Sequence, residues 1–295
     1  MSEARGRIAG ALLVATSAAA FGALPIFARQ AYAEGVDLLG ILVPRFALGA
    51  VLLALLAVAR NARWPRGRTL LGVLAMGGVG YVGQSFLYFS ALRYADASLV
   101  ALLLYAFPFV VAVLAALFLH EKLDAGRVTA LVVASAGLAL TIGGGRGEPL
   151  GVALGLGAAV VYAVYIVVGT RVLRGVDAIA ASALICAAAA ATFSGIAGAR
   201  MLAGTAPSWP GSAAAWLPVL AIGVVSTVLA IGAFFAGLQR LGATVTSVLS
   251  TLEPVVSVAL AASLLGERIS ALQAAGGALV IATAIWLALQ PGPRA

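Results

Sequence analysis

Residues 89 to 136, FSALRYADASLVALLLYAFPFVVAVLAALFLHEKLDAGRVTALVVASA, align without a gap onto residues 235 to 282, FAGLQRLGATVTSVLSTLEPVVSVALAASLLGERISALQAAGGALVIA, at a constant offset of 146. Phe89 falls on Phe235, Leu92 on Leu238, Pro108 on Pro254, Glu121 on Glu267 and Lys122 on Arg268. The likeness continues upstream. Gly35-Val36-Asp37 recurs as Gly175-Val176-Asp177, and Gly10 and Phe21 are spaced like Gly151 and Tyr162. Two copies of one unit therefore fill the chain, residues 1–146 and residues 147–295. If each copy crosses a membrane an odd number of times, the second must enter from the opposite side, which gives the inverted-repeat architecture of many secondary transporters.

The solvent for such a chain is a bilayer. Sixty-three per cent of its 295 residues are hydrophobic and 9% are charged, a balance suited to a multi-pass membrane protein. The net charge of +8 does not point to nucleic acid, because the basic residues stand singly between apolar runs rather than in a stripe. A lone cysteine, Cys186, permits no intrachain disulfide and no cysteine metal site. Arg5 and Arg7, an apolar stretch and Ala31-Tyr32-Ala33 imitate a secretion signal. The apolar stretch exceeds the roughly 7 to 15 residues of a signal core and has a counterpart in the second copy, so it reads as a permanent span.

A helix needs about 20 apolar residues to cross the hydrocarbon. The charge positions cut the chain into ten such spans, near 8–29, 38–59, 69–92, 97–119, 127–145, 150–170, 178–199, 216–238, 243–265 and 270–289. The expected fold is an all-α membrane protein of ten transmembrane helices in two inverted five-helix repeats. Alternate connections carry Arg5, Arg7, Arg60, Arg63, Arg66, Arg68, Lys122, Arg127, Arg171, Arg174, Arg240 and Arg294 on one side, against Arg29, Arg93, Arg146, Arg200 and Arg268 on the other. Positive charge concentrates inside, so both termini are expected in the cytoplasm. The run from Arg60 to Arg68 reads as a topogenic loop or as a site for anionic lipid.

Leu252-Glu253-Pro254-Val255, followed by Gly266-Glu267-Arg268-Ile269-Ser270, resembles the end of an EamA domain of the drug/metabolite transporter superfamily. Pro108 and Glu121-Lys122-Leu123-Asp124 are similar to the same signature in the first copy, and Arg45-Phe46 to the family's second span. The resemblance covers the whole chain. It implies a ten-helix exporter of the bacterial inner membrane, like those that export amino acids, aromatic ones among them; relatives move drugs, nucleotide sugars or phosphorylated sugars. Two positions depart from the pattern: His120 stands where glycine is usual, and Phe21-Gly22 where Trp-Gly is common.

The residues that would carry transport lie mid-span. Pro108 and Pro254 each fall twelfth in a 23-residue span. Proline removes a backbone hydrogen bond and clashes with the carbonyl four residues earlier, here Leu104 and Ser250, so both helices should bend at the membrane midplane as a hinge or a packing kink. Glu253 lies about 15 Å from its end of the span. An acidic residue there costs about 2.5–3.5 kcal/mol, so it must face a cavity, find a donor or stay protonated. It reads as a site for a substrate amine or a proton, or as a clamp on the bent helix. Thr246, Ser250, Glu253 and Ser257 share one helical face, whereas Val100, Leu104, Phe107 and Val111 make the matching face of the first copy apolar. Arg45, about 12 Å into its span, is expected to pair within the protein or reach the interface, with a substrate carboxylate as the alternative.

Tyr81, Gln84, Ser85 and Tyr88 lie near one another on the third span, Tyr105 precedes the first proline, and Tyr162 and Tyr165 lie one turn apart on the sixth. Tyrosines facing lipid at mid-depth would strand their hydroxyls, so these should line a cavity or bond between helices. The expected cavity set is Tyr81, Gln84, Tyr88, Tyr105, Tyr162, Tyr165, Ser250 and Glu253, with Pro108 and Pro254 as hinges. No metal or cofactor is expected; the partners are membrane lipids and a small-molecule substrate, not nucleic acid. The function that follows is export of amino acids or similar small metabolites by alternating access. The alternatives are efflux of lipophilic cationic drugs, with Glu253 as counter-charge, and a non-transporting structural or receptor protein. An enzyme is not expected, since one histidine supplies neither a metal cluster nor a Ser/His/Asp arrangement.

Overall fold

Among the described residues, ten helices long and apolar enough to cross a membrane follow one another along the chain: Arg5–Ala33, Leu38–Ala59, Gly67–Tyr88, Val100–Leu119, Ala125–Ile142, Pro149–Val172, Ala178–Leu202, Ala213–Leu241, Ala243–Leu264 and Ala271–Leu289. They are referred to below as the first to tenth spans. The computed structural model describes residues 2–91, 94–95, 97–121, 123–142, 147–265 and 269–289. Lys122, Arg93, Arg146, Gly266, Glu267, Arg268 and Arg294, all used in the sequence reading, lie outside the described residues. Large apolar side chains, including Leu12, Val51, Leu55, Leu71, Phe86 and Leu117, are exposed on the outside of the bundle. In hydrocarbon that arrangement costs nothing, and the helices satisfy their own backbone groups as a bilayer requires.

The spans pack in pairs that follow the repeat. The second packs on the seventh and the fifth on the tenth; the first packs on the eighth as the sixth does on the third. The fourth lies against the sixth as the ninth lies against the first. This set of pairs is unchanged when every span is exchanged for its equivalent five places away. Hydroxyls fasten the first span to the eighth, with Ser17 Oγ donating to Ala230 O at 2.8 Å and Ser226 Oγ to Ala20 O at 2.6 Å.

Span entries repeat as well. Asp37 Oδ1 accepts from Gly40 N at 2.8 Å, and Asp177 Oδ1 from Ile179 N at 2.9 Å and Ala180 N at 3.0 Å. Each satisfies amides that a helix start leaves without partners. The recurrent glycine two residues earlier takes a positive φ, +79° at Gly35 and +68° at Gly175, so Gly-Val-Asp is one turn-and-cap unit used twice. His120 closes the fourth span at φ 56°, ψ 30°, the left-handed conformation that glycine would adopt at no cost. The departure at His120 therefore leaves the turn intact.

The prolines interrupt their helices. The fourth span divides into Ala97–Leu104 and Phe107–Leu114, and the ninth into Ala243–Leu249 and Leu252–Leu265. Both breaks occur beside the carbonyl that proline deprives of its donor. The first span differs from its expected form, because it runs as Ser2–Gly22 and Leu24–Ala33 around Ala23 rather than as one helix over 8–29. Pro25, second residue of the Leu24–Ala33 piece, would clash with the Phe21 carbonyl in a continuous helix, which accounts for that break. The eighth span starts at Ala213 instead of 216, since Ser212 Oγ accepts from Ala215 N at 3.1 Å. The third and eighth spans also contain wider π-helical turns, Met76–Tyr81 and Val224–Leu229, which overlap on the repeat register.

Candidate functional site

The breaks in the first, fourth and ninth spans and the widened turn of the third border one space. A cavity of about 420 Å³ lies between the first, third, fourth, sixth, eighth and ninth spans, with the second, fifth and tenth adding Arg45, Thr141 and Gln273 to its wall. Tyr81, Tyr88, Tyr105, Tyr162, Tyr165 and Phe235 supply much of its wall, and Arg45, Gln84, Ser85, Glu253 and Ser257 its polar groups. Phe46 meets Tyr81 edge to face at 5.0 Å between centroids, Tyr81 meets Tyr165 at 6.1 Å, and Phe107 meets Tyr162 at 4.7 Å. Rings held by rings lose little further freedom when a ligand arrives.

Of the expected cavity residues, Tyr81, Gln84, Tyr88, Tyr105, Tyr162, Tyr165 and Glu253 line this space. Ser250 does not. It is buried, and its hydroxyl donates to Thr246 O at 2.9 Å. The break after Leu249 falls between Ser250 and Glu253, so three-residue spacing no longer puts them on a common face. Pro254 lines the cavity, while Pro108 is buried behind Phe107, which lines it. Wall residues that sequence reasoning missed include Pro25, Phe234, Phe235 and Gln273. Only Pro25 had a local signal, as a proline inside an apolar run; the others reach the site by packing.

Arg45 is 5% exposed and lies where both copies contribute to its support. Its Nε donates to Thr227 Oγ1 at 2.9 Å, and its Nη2 to Tyr81 Oη at 3.1 Å and Ser226 O at 3.4 Å. Tyr81 belongs to the π-helical turn of the third span, and Ser226 and Thr227 to that of the eighth. A widened turn leaves carbonyls without their usual donors, and the guanidinium supplies one. The cation also sits 4.7 Å above the centre of the Phe46 ring.

Glu253 lies near the start of the second half of the ninth span, and its carboxyl interacts with the Tyr105 hydroxyl of the broken fourth span in the cavity wall. One turn on, Ser257 Oγ donates to Gly22 O at 2.9 Å, a carbonyl left free by the break in the first span. The two backbones touch here: a Cβ at Gly22 would stand 2.7 Å from Glu253 O. Gly22 is fixed by that approach, and Phe21 beside it faces the cavity.

The cavity wall runs from mid-bundle toward the end marked by Tyr88, Ala101, Thr141 and Gln273. The opposite end is tied shut. Glu121 Oε1 accepts from Ala243 N at 3.0 Å and its Oε2 from Thr244 N at 3.4 Å, so a carboxylate just after the fourth span caps the ninth. Arg127 Nη1 approaches the same carboxylate at 3.9 Å, Arg171 Nη2 donates to Phe118 O, and Gln239 Nε2 donates to Leu173 O at 3.0 Å and Val176 O at 2.8 Å. Among the described residues no cluster of three or more His, Cys, Asp or Glu side chains has the arrangement of a metal site.

The sequence pattern described as the EamA-like transporter family matches this chain twice, over residues 8–143 and again over residues 149–289. A crystal structure of a protein 26% identical in sequence matches 93% of this chain and 94% of its own, with a TM-score of 0.80. No curated protein matches this chain.

Proposed function

Because this chain belongs to the EamA-like transporter family, we propose that it exports amino acids, including aromatic and other apolar ones, by alternating access across a bacterial plasma membrane. The observation that carries this reading is the placement of the cavity: it lies between helices broken at repeat-equivalent prolines and is sealed at one end by polar contacts. Discontinuous helices at mid-depth are where transporters of repeated architecture bind their cargo. A tyrosine-rich wall with a few polar groups suits a small molecule that carries an apolar side chain.

The paired packing of the spans supports inversion of residues 147–295 relative to residues 1–146, and the charge bias then puts both termini in the cytoplasm. On that orientation the cavity faces outward and the Glu121 contacts close the cytoplasmic side. Purified protein in liposomes loaded with a labelled amino-acid mixture tests the proposal. Release of phenylalanine, tyrosine or leucine above the rate of empty liposomes is expected, with and without an imposed proton gradient to report coupling. Retention of every amino acid, with the protein folded, would refute it.

A further inference from the structure

The cavity holds two ionisable groups of opposite sign, Arg45 and Glu253, that form no ion pair with each other. Among the described residues the ion pairs include Arg127 with Glu121 and with Asp124, and Arg200 with Asp37, and none of these involves Arg45 or Glu253. Each has neutral neighbours instead: Arg45 is hydrogen-bonded to Thr227, Tyr81 and Ser226, and Glu253 interacts with the Tyr105 hydroxyl. Among the described residues the hydrogen bonds of Arg45 run from Nε and Nη2, and the residue lines the cavity with Nη1 left over for a ligand. Charges out of water are costly unless paired. Two in one tyrosine-walled space, of opposite sign and out of contact, leave room for a ligand with both signs.

We propose that Arg45 and Glu253 are the two ends of a zwitterion site: Arg45 takes the α-carboxylate through Nη1, Glu253 takes the α-ammonium, and the side chain lies against the tyrosines. This rests on the amino-acid reading above and adds to it the orientation of the cargo. A free amino acid neutralises both protein charges at once. A lipophilic monocation leaves Arg45 uncompensated, and a monoanion leaves Glu253 so; each is rejected by the end it lacks. The same two-ended requirement separates this cavity from a multidrug pocket, which would need only the carboxylate. The site also joins the two copies. Glu253 belongs to the second, whereas Arg45 belongs to the first and is tied to the widened turns of both.

The test is equilibrium binding to the purified full-length protein of three molecules that share one ring: phenylalanine, phenethylamine, which lacks the carboxylate, and phenylpropionate, which lacks the ammonium. The wild-type protein is expected to bind phenylalanine at least about tenfold more tightly than either analogue. E253Q should narrow the gap to phenylpropionate while keeping the gap to phenethylamine, and R45Q should do the reverse. Should R45Q not fold, the wild-type and E253Q series decide alone. Binding of either analogue within about twofold of phenylalanine by wild type, or equal weakening of all three ligands by E253Q, overturns the zwitterion site and leaves amino-acid export standing. No binding of phenylalanine by folded wild-type protein overturns both.

Discussion

Arg45 and His120 each occupy a position whose physical demand is met at a measurable cost. The three bonds of Arg45 replace the water that its charge has lost, and the one to Thr227 is the shortest at 2.9 Å. Hydrogen bonds to charged groups contribute roughly 1.5–3 kcal/mol. Thr227→Val keeps the volume and removes the acceptor, so it should lower stability by about that amount, read as a lower melting midpoint in detergent; an unchanged midpoint would mean that Nε finds another acceptor. His120 pays for a left-handed backbone, about 1–2 kcal/mol for a residue with a Cβ. His120→Gly should recover part of this, raising stability by roughly 0.5–1 kcal/mol after glycine's own loss of chain entropy. A lower midpoint for that variant would show that the imidazole makes a contact worth more than the strain.

At the scale of elements, the broken fourth and ninth spans are the parts expected to move. Equivalent helices in the two copies must exchange shapes between inward-open and outward-open states. Alanine restores a backbone donor and favours the unbroken helix. Pro108→Ala and Pro254→Ala should therefore bias access toward opposite faces of the membrane, and a cysteine reporter in the cavity wall would register the two shifts. Transport at the normal rate by both variants, with unchanged accessibility, would reduce the prolines to packing features. The spans themselves were legible because apolar runs of about 20 residues between charges leave little else for the backbone to do in lipid. The breaks were legible as bends, since proline acts on a defined carbonyl. Their consequences for side chains were not: Ser250 left the face of Glu253 because the helix restarts between them. The π-helical turns Met76–Tyr81 and Val224–Leu229 had no sequence signature, and they are what brings Tyr81, Ser226 and Thr227 to Arg45. Gln273, at the start of the tenth span, reaches the cavity only through tertiary packing.

At the scale of the whole molecule, the same pairing of spans recurs across the two copies, and the cavity lies where the copies meet. Its membrane orientation has a direct check in a Cys186→Ala background, where the substituted cysteine was wholly buried. Thr205→Cys, in the exposed loop after the seventh span, should react with an impermeant thiol reagent in intact cells, and Arg63→Cys should not. The opposite pattern would invert the orientation and, with it, the direction assigned to the closed end. The measurement closest to the central claim places one cysteine in the cavity itself. Gln84→Cys in the same background removes a wall side chain whose one bond is a 3.4 Å contact with Ser85. In liposomes and inside-out vesicles the account predicts that this cysteine is labelled from each face in turn, and that phenylalanine slows labelling from both. Labelling from one face alone under every condition, with no effect of phenylalanine, would contradict alternating access through this cavity.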